Sequence, residues 1–273
     1  MNVTLLGTGS PIPDPARAGP ATLVRAAGAT LLADCGRGVL MRLAAASVLP
    51  PMLSAVLVTH LHSDHLTDLN DVLTTQWVMS AEPSTLPIFG PPGIGAVVDA
   101  TLDALAPDIA YRLAHHADLT WRPTVQVTEV APGDRVAVAS VAVAVAATDH
   151  RPVEPTVAYR VEGDGHSVVL GGDGVPCAGL DELCKGADVY VQTVIRDDLV
   201  RLVPNKRFQD IVDYHSTVED AAQTAARAGV GTLVLTHYVP PMAPHQQDEW
   251  RALAAAHFAG DIVLGDDLTT IEV

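Results

Sequence analysis

Three imidazoles and a carboxylate fall within six residues of this chain, in the segment Thr59-His60-Leu61-His62-Ser63-Asp64-His65. The segment directly follows the apolar run Ser54-Ala55-Val56-Leu57-Val58, which alternates, is rich in Val and reads as a β-strand. Strand side chains repeat every second residue, so His60 and His62 point the same way and can hold one ion. Downstream, Leu66, Leu69, Leu73 and Trp77 recur at three- and four-residue spacing, so a helix begins just past the motif. Asp64 and His65 then lie on the turn into that helix, displaced from the first pair and suited to a second ion. Imidazole and carboxylate without thiolate fit zinc in a catalytic site with an open coordination position better than a closed structural site. A single histidine is ordinarily a surface or core residue, but four ligand groups at this spacing read as a metal site.

The 273-residue chain is long enough for a substantial core. It has no internal linker, low-complexity tract or long charge run, and its 48% apolar residues come as strand-length runs and Ala-rich helices. No run of about 18 apolar residues occurs, so no membrane span is indicated. The N-terminal Met1-Asn2-Val3-Thr4-Leu5-Leu6 enters a strand at once, without the basic and apolar regions of a signal peptide, so a cytoplasmic location is expected. Cys35, Cys177 and Cys184 are odd in number and lack metal-type spacing, which fits reduced thiols packed in the fold. A formal charge of −16 favours solubility and repels polyanions at long range, so a nucleic-acid substrate requires a local basic patch.

Strand-like runs end repeatedly in a ligand-type residue. Val141-Ala142-Val143-Ala144-Val145-Ala146-Ala147 leads to Thr148-Asp149-His150, and Ser167-Val168-Val169-Leu170 leads to Gly171-Gly172-Asp173-Gly174, whose glycines permit a tight turn. Thr232-Leu233-Val234-Leu235 leads to Thr236-His237-Tyr238. Three further ligands are thus expected just beyond strand ends, where α/β scaffolds assemble their sites. His150 or Asp173 alone is an ordinary loop residue. Together, His60, His62, Asp64, His65, His150, Asp173 and His237 can give each of two zinc ions three protein ligands, with one carboxylate shared.

On these residues the chain resembles the metallo-β-lactamase fold superfamily over nearly its whole length. The HxHxDH motif of that superfamily stands here as His60, His62, Asp64 and His65, and its later single His, Asp and His match His150, Asp173 and His237. Leu5-Leu6-Gly7-Thr8-Gly9-Ser10-Pro11 resembles the opening strand and turn of the ribonuclease Z and arylsulfatase-like branches. Ala33-Asp34-Cys35-Gly36 resembles the Asp-x-Gly turn that braces the metal loop, which implies that Asp34 supports a ligand. Read without the family, Gly7-Thr8-Gly9 is a turn too short for a dinucleotide loop. The resemblance implies two zinc ions per chain: His60, His62 and His150 on the first, Asp64, His65 and His237 on the second, and Asp173 bridging. It also implies an αβ/βα sandwich of two mixed sheets flanked by helices, with residues 1–273 forming one domain of two similar αβ halves and the metals at one edge between the sheets.

The branch is indicated by His215-Ser216-Thr217. Ser216 followed by Glu219 is a capping-box pattern, and Ala221, Ala222, Ala225 and Ala226 line one helical face before Gly229. His215 then sits just ahead of a helix N-terminus, where it either faces a tetrahedral anion or is simply a solvent-facing residue. The resemblance favours the first, since ribonuclease Z-like proteins carry this His-Ser-Thr ahead of the final metal His, with the His acting on the scissile phosphate. The chain also departs from that family. Only 23 positions separate His150 from Asp173, too few for the arm with which such enzymes clamp tRNA. Where the family has a His-Glu pair, this chain has Ala187-Asp188-Val189-Tyr190-Val191-Gln192-Thr193, without the Glu that orients the catalytic His. Both departures, with the acidic charge, weigh against tRNA 3′ processing while leaving phosphodiester hydrolysis intact. Lys206-Arg207, with Arg196 and Arg201 nearby, is a small basic cluster read here as a solvated loop.

The expected chemistry is hydrolysis by a zinc-bound hydroxide, since two zincs about 3.5 to 4 Å apart bring a shared water toward a pKa of about 7. Asp64 would hold the water's proton, and His215 would stabilise the phosphoryl oxygens or protonate the leaving alkoxide. Aryl sulfates and other esters need similar geometry, so an arylsulfatase or a lactone hydrolase on the same dizinc site is the alternative. Glyoxalase II is disfavoured by the lack of a C-terminal helical extension, a periplasmic β-lactamase by the missing signal peptide, and a noncatalytic scaffold by the intact ligand set. His115-His116 reads as a surface pair, His166 as part of the Gly163-Asp164-Gly165-His166 hairpin turn, and His245 as overhanging the pocket without ligating. The substrate is expected to be a phosphodiester or aryl ester, with RNA as one candidate. A homodimer is expected, with Val72 to Met79 and the Pro-rich stretch to Pro92 as a candidate interface, although that segment reads equally well as a buried helix and its loop.

Overall fold

The computed structural model describes residues 1–273. Fourteen strands form two seven-stranded sheets. The first contains β1 (Asn2–Gly7), β2 (Ala21–Ala26), β3 (Ala29–Ala33), β4 (Ala55–Leu57), β5 (Thr85–Gly90) and β6 (Thr124–Glu129). The second contains β7 (Arg135–Val138), β8 (Val141–Ala147), β9 (Val157–Gly163), β10 (His166–Leu170), β11 (Val189–Ile195), β12 (Thr232–Val239) and β13 (Asp261–Leu264). The last strand, β14 (Thr270–Glu272), crosses back to pair antiparallel with β1. Each sheet runs as an antiparallel meander at one end and a parallel set at the other. The first has β14-β1-β2-β3 antiparallel and β3-β4-β5-β6 parallel; the second has β7-β8-β9-β10 antiparallel and β10-β11-β12-β13 parallel. The two mixed sheets flanked by helices are the αβ/βα sandwich expected from the sequence.

Side-chain alternation explains the layers. In β8, Val141, Val143 and Val145 point into the core between the sheets, with Val3, Leu31, Tyr159 and Val234. The intervening Ala144 and Ala146 face the opposite way, toward α5 (Ala178–Cys184), where only a small residue admits a close helix. The outer face of the second sheet is also covered by α8 (Val218–Ala228) and α9 (Gln247–Ala255). On the first sheet, α1 (Val39–Ala45), α2 (Leu69–Met79) and α3 (Ile94–Ala104) cover Leu6, Leu23, Leu32 and Val56, and α4 (Ala106–His115) follows α3. Two short turns of helix, α6 (Asp197–Val200) and α7 (Lys206–Gln209), lie between β11 and α8. No helix is long and apolar enough to cross a membrane. All three cysteines are unpaired thiols.

Several local readings shift. The helix after the metal motif starts at Leu69, because Ser63–His65 form a separate 3-10 turn and Leu66 only flanks the core. The cap of α8 is Thr217, one residue later than the Ser216 expectation. Thr217 Oγ1 accepts from Asp220 N at 3.1 Å, and Asp220 Oδ2 accepts from Thr217 N at 3.0 Å, a reciprocal cap of about 1 kcal/mol. Ser216 is drawn away by the Gly174 carbonyl, to which its hydroxyl donates at 2.7 Å. In the same helix the buried stripe takes Thr224 rather than Ala226, which is exposed. His237 does not lie beyond a strand end: β12 continues to Val239, and His237 sits inside it at a bulge, with φ +54.

Two hydrogen bonds tie the sheets together beside the metal motif, one of them from Val157 N to the Thr59 carbonyl at 3.0 Å. The buried Tyr159 hydroxyl on β9 donates to the Val58 carbonyl at 2.7 Å, just where β4 gives way to Thr59 and His60. Replacing Tyr159 by Phe leaves that buried carbonyl short of a partner, so Tyr159→Phe should lose about 1–2 kcal/mol in urea unfolding; an unchanged midpoint would refute this role.

Candidate metal centre

Six of the eleven histidines come together at one edge of the sandwich, with Asp64 and Asp173 among them. His60, His62, His150 and Asp173 form one potential ligand group; Asp64, His65 and His237 form another, and within each the ligand atoms lie within 4.8 Å of one another. His60 Nε2 is 3.0 Å from His62 Nδ1, and His150 Nε2 is 3.3 Å from the same nitrogen. Asp173 Oδ2 occupies the middle, 3.8 Å from His60 Nε2, 3.5 Å from His65 Nε2, 4.0 Å from His150 Nε2, 3.7 Å from His237 Nε2 and 3.4 Å from His215 Nε2. Asp64 Oδ2 lies 3.3 Å from His237 Nε2 and 3.6 Å from His65 Nε2.

The far side of the imidazoles shows how they are aimed. His65 Nδ1 donates to Asp34 Oδ2 at 2.8 Å, and His150 Nδ1 donates to the Tyr214 carbonyl at 2.8 Å. His60 Nδ1 is 3.0 Å from Thr59 Oγ1, whose own proton is directed to Asp34 Oδ2 at 2.9 Å. Asp34 also accepts from Thr59 N at 2.8 Å, so one buried carboxylate fixes both the start of the metal loop and its last histidine. With Nδ1 spent on a donor role, each of these rings presents the lone pair of Nε2 to the centre, the tautomer a metal ligand needs. His215 is aimed in the same manner, with Nδ1 2.9 Å from the Ile211 carbonyl. That carbonyl holds the ring in a chain without the orienting Glu.

The electrostatics call for a cation. Burial pushes His60 well below the usual imidazole range, lowers His62, and pulls His150 down to about 4, so these rings are neutral and ready to ligate. Burial also opposes charge on His65 and His237, but Asp173 outweighs it in both, aided by Asp34 at His65 and by Asp64 at His237, so both are raised. Burial would raise Asp173, yet His237 and His65 hold it well below the usual carboxylate range. Raised His65 and His237 and lowered Asp173 thus each favour the other's charged form. Among the buried polar atoms without a partner are His65 Nε2 and Asp173 Oδ1, both in this cluster. Converging ring nitrogens, buried carboxylates and buried polar atoms without a partner fit a divalent metal.

A cavity of about 350 Å³ opens onto the cluster, lined by His62, Asp64, Asp173, His215 and His237 on one side. Its other side is Pro11, Ile12, Phe208, Ile211, Tyr214 and Val239, an apolar wall that sequence reasoning did not assign. Pro11 stood in the opening motif and Phe208 beside Lys206-Arg207, but nothing local signalled that either reaches the site. The basic cluster is largely neutralised: Arg196 is buried, donates to Asp198 and Glu249 at 2.7 Å and lies over Trp250, while Arg201 pairs with Asp197 and Lys206 with Asp210. His115 and His116 are exposed at the end of α4, His166 follows the Asp164-Gly165 hairpin turn, and His245 is exposed on the 3-10 turn Pro244–Gln246.

The beta-lactamase superfamily domain profile matches residues 29–238. The ribonuclease Z of Mycolicibacterium paratuberculosis is 60% identical over 275 residues, covering 100% of this chain and 98% of that protein. The ribonuclease Z of Mycobacterium tuberculosis is 57% identical with the same coverage. Among solved structures, the metallo-beta-lactamase fold protein YhfI from Bacillus subtilis superposes with a TM-score of 0.75 at 23% identity, covering 100% of this chain and 98% of that one. The short form of human tRNase Z superposes with a TM-score of 0.73 at 24% identity, covering 100% and 99%. At those identities the structures speak for the fold, and the mycobacterial relatives for the family: the chain belongs to the beta-lactamase superfamily and, within it, to the ribonuclease Z family.

Proposed function

We propose that this chain is a dizinc phosphodiesterase of the ribonuclease Z class that cleaves RNA, acting in tRNA 3′ processing. The observation that carries the reading is the placement of His215 Nε2, 3.4 Å from Asp173 Oδ2 and facing the same cavity as the two ligand groups. His60, His62 and His150 would hold one ion, Asp64, His65 and His237 the other, with Asp173 shared between them and Asp34 bracing His65. When bound, the ions supply an activated water and the positive charge that a phosphoryl transition state requires. Burial would raise Asp64, but its hydrogen bond to His237 and the nearby imidazoles keep it below the ordinary carboxylate range, so it is an anion that can accept a hydrogen bond from the attacking water. His215, anchored at Nδ1, offers Nε2 to a phosphoryl oxygen or to the departing alkoxide. The apolar wall of Ile12, Phe208 and Tyr214 suits the nucleoside beside the scissile phosphate, since bases stack on aromatic side chains.

The missing arm does not separate this chain from its relatives. An alignment of 275 residues against a 273-residue chain leaves no room for an arm-length insertion in the 60% identical ribonuclease Z. The aryl-ester alternative has no comparable support. The same reading takes the protein as a cytoplasmic homodimer whose residues 1–273 form one domain. Of the expected interface segment, Val72, Leu73 and Trp77 are buried in the core, and only Val78 and Met79 at the end of α2, 39% and 48% exposed, offer an apolar surface to a partner.

Four measurements test this reading. The metal-loaded protein should cleave precursor tRNA and a simple chromogenic phosphodiester, with no comparable rate on an aryl sulfate, a thioester or a β-lactam. His62→Ala should lose metal and nearly all turnover, while His215→Ala should keep both ions and lose about 100-fold or more in turnover, the scale of a proton-transfer catalyst. Rates unchanged by His62→Ala would sink the proposal. Metal affinity should rise with pH, because the raised His65 and His237 must shed protons before they ligate. The sign is opposite for the metal-free protein: the stability contributed by raised His65 is complete below the ordinary imidazole range and is lost as pH rises through its folded value. Chelator competition from about pH 6 to 8 checks the first trend, and a flat affinity would refute it. Light scattering should give a dimer mass, which Met79→Asp should shift toward monomer.

A further inference from the structure

The turn that carries Asp173 is gripped from below by a side chain with no assigned role. Gln192, on β11, is fully buried. Its Nε2 donates to the Gly172 carbonyl at 3.0 Å, and the neighbouring Thr193 Oγ1 donates to the same carbonyl at 2.9 Å. Its Oε1 accepts from the buried Tyr190 hydroxyl at 2.6 Å, which holds the amide in one orientation. The fit is tight: a Cβ on Gly171 would lie 2.0 Å from Gln192 Oε1, and one on Gly172 would lie 3.0 Å from Thr59 Cβ. The turn is thus held between β11 and the residue that opens the metal loop. On the other side of Asp173, Ser216 Oγ donates to the Gly174 carbonyl at 2.7 Å. The carbonyls of both residues that flank Asp173 are therefore fixed by side chains, while Asp173 itself has one carboxylate oxygen at the centre of the cluster and the other without a partner.

We propose that Gln192 is the positioning residue for the shared carboxylate: through Gly172 it sets where Asp173 Oδ2 stands between the two ligand groups. Gln192 and Thr193 occupy the stretch where the family pattern has a His-Glu pair. Here that stretch orients the bridging carboxylate, and His215 is oriented instead by the Ile211 carbonyl. This assignment rests on the two-ion reading of the site, and the test separates the two.

Parent protein, Gln192→Leu, Gln192→Glu and Thr193→Val are each stripped of metal and reloaded with zinc, and stoichiometry and affinity are read by chelator competition. The melting temperature of each metal-free form is read in parallel. Fewer than two zincs on the parent protein would overturn the reading of the site itself. With two on the parent, Gln192→Leu and Gln192→Glu should lose about 10–100-fold in zinc affinity, the scale of ligand-supporting contacts. Thr193→Val should lose less, since Gln192 still donates to Gly172. Turnover on the simple phosphodiester should fall with KM changed little. A Gln192 that merely fills the core would lower the metal-free melting temperature and leave zinc affinity within twofold of the parent, and that result overturns the proposal. Where Gln192→Leu fails to fold, Gln192→Glu and Thr193→Val decide on the same readout.

Discussion

The carboxylate of Asp173 is the point on which the site converges. One oxygen lies 3.4 to 4.0 Å from five imidazole nitrogens delivered by four separate stretches of chain, around residues 60–65, 150, 215 and 237. Such crowding of titratable groups inside a protein is costly unless charge is balanced, and the balance here involves every member. Moving Asp173 would leave raised His65 and His237 with less to oppose their burial. This explains why so much of the surrounding structure is devoted to holding one turn: the glycines at 171 and 172, the amide of Gln192, the hydroxyls of Thr193 and Ser216, and Thr59 opposite.

The two sheets are built for that convergence. Each changes from antiparallel to parallel pairing partway across, at β3-β4 in the first and at β10-β11 in the second. Strands on the parallel side all end at the same edge, so β4 and β10 deliver the metal loop and the Asp173 turn to one seam. The bulge in β12 then turns His237 inward without ending the strand. The bond from Tyr159 to the Val58 carbonyl joins the sheets at that seam, and the carbonyls of Ile211 and Tyr214 supply the last two anchors from a segment with little regular structure.

What was legible in the sequence follows from range. The seven ligands could be read because each sits at or near the end of an apolar run, and the HxHxDH spacing is local. The strand alternation of β8 and the Ala face of α8 were likewise local and held in their main lines. Asp34 could be placed only through a family pattern, since its partners Thr59 and His65 lie 25 and 31 positions away. The bulge at His237 was invisible because it depends on the register with β11, and the cap shifted to Thr217 because Gly174, 42 positions earlier, competes for Ser216. The apolar wall of the cavity was missed for the same reason. Ile12, Phe208 and Val239 are ordinary apolar residues until the fold sets them side by side.

The distribution of charge bears on how an acidic protein handles a polyanion. Eleven of its sixteen basic side chains are paired with carboxylates, and of the remaining five, Arg25 and Arg251 donate to backbone carbonyls. Arg37, Arg122 and Arg207 are left, too few and too scattered along the chain for the broad basic surface that drives salt-sensitive nucleic-acid binding. Attraction for phosphate must then be concentrated at the centre, where two divalent ions would place positive charge among buried imidazoles and carboxylates. Under the proposed function, the phosphate to be cleaved would have to reach the cavity of about 350 Å³ beside the two ligand groups. Selectivity on this plan resides in what fits between the metal ligands and the wall of Ile12, Phe208 and Tyr214.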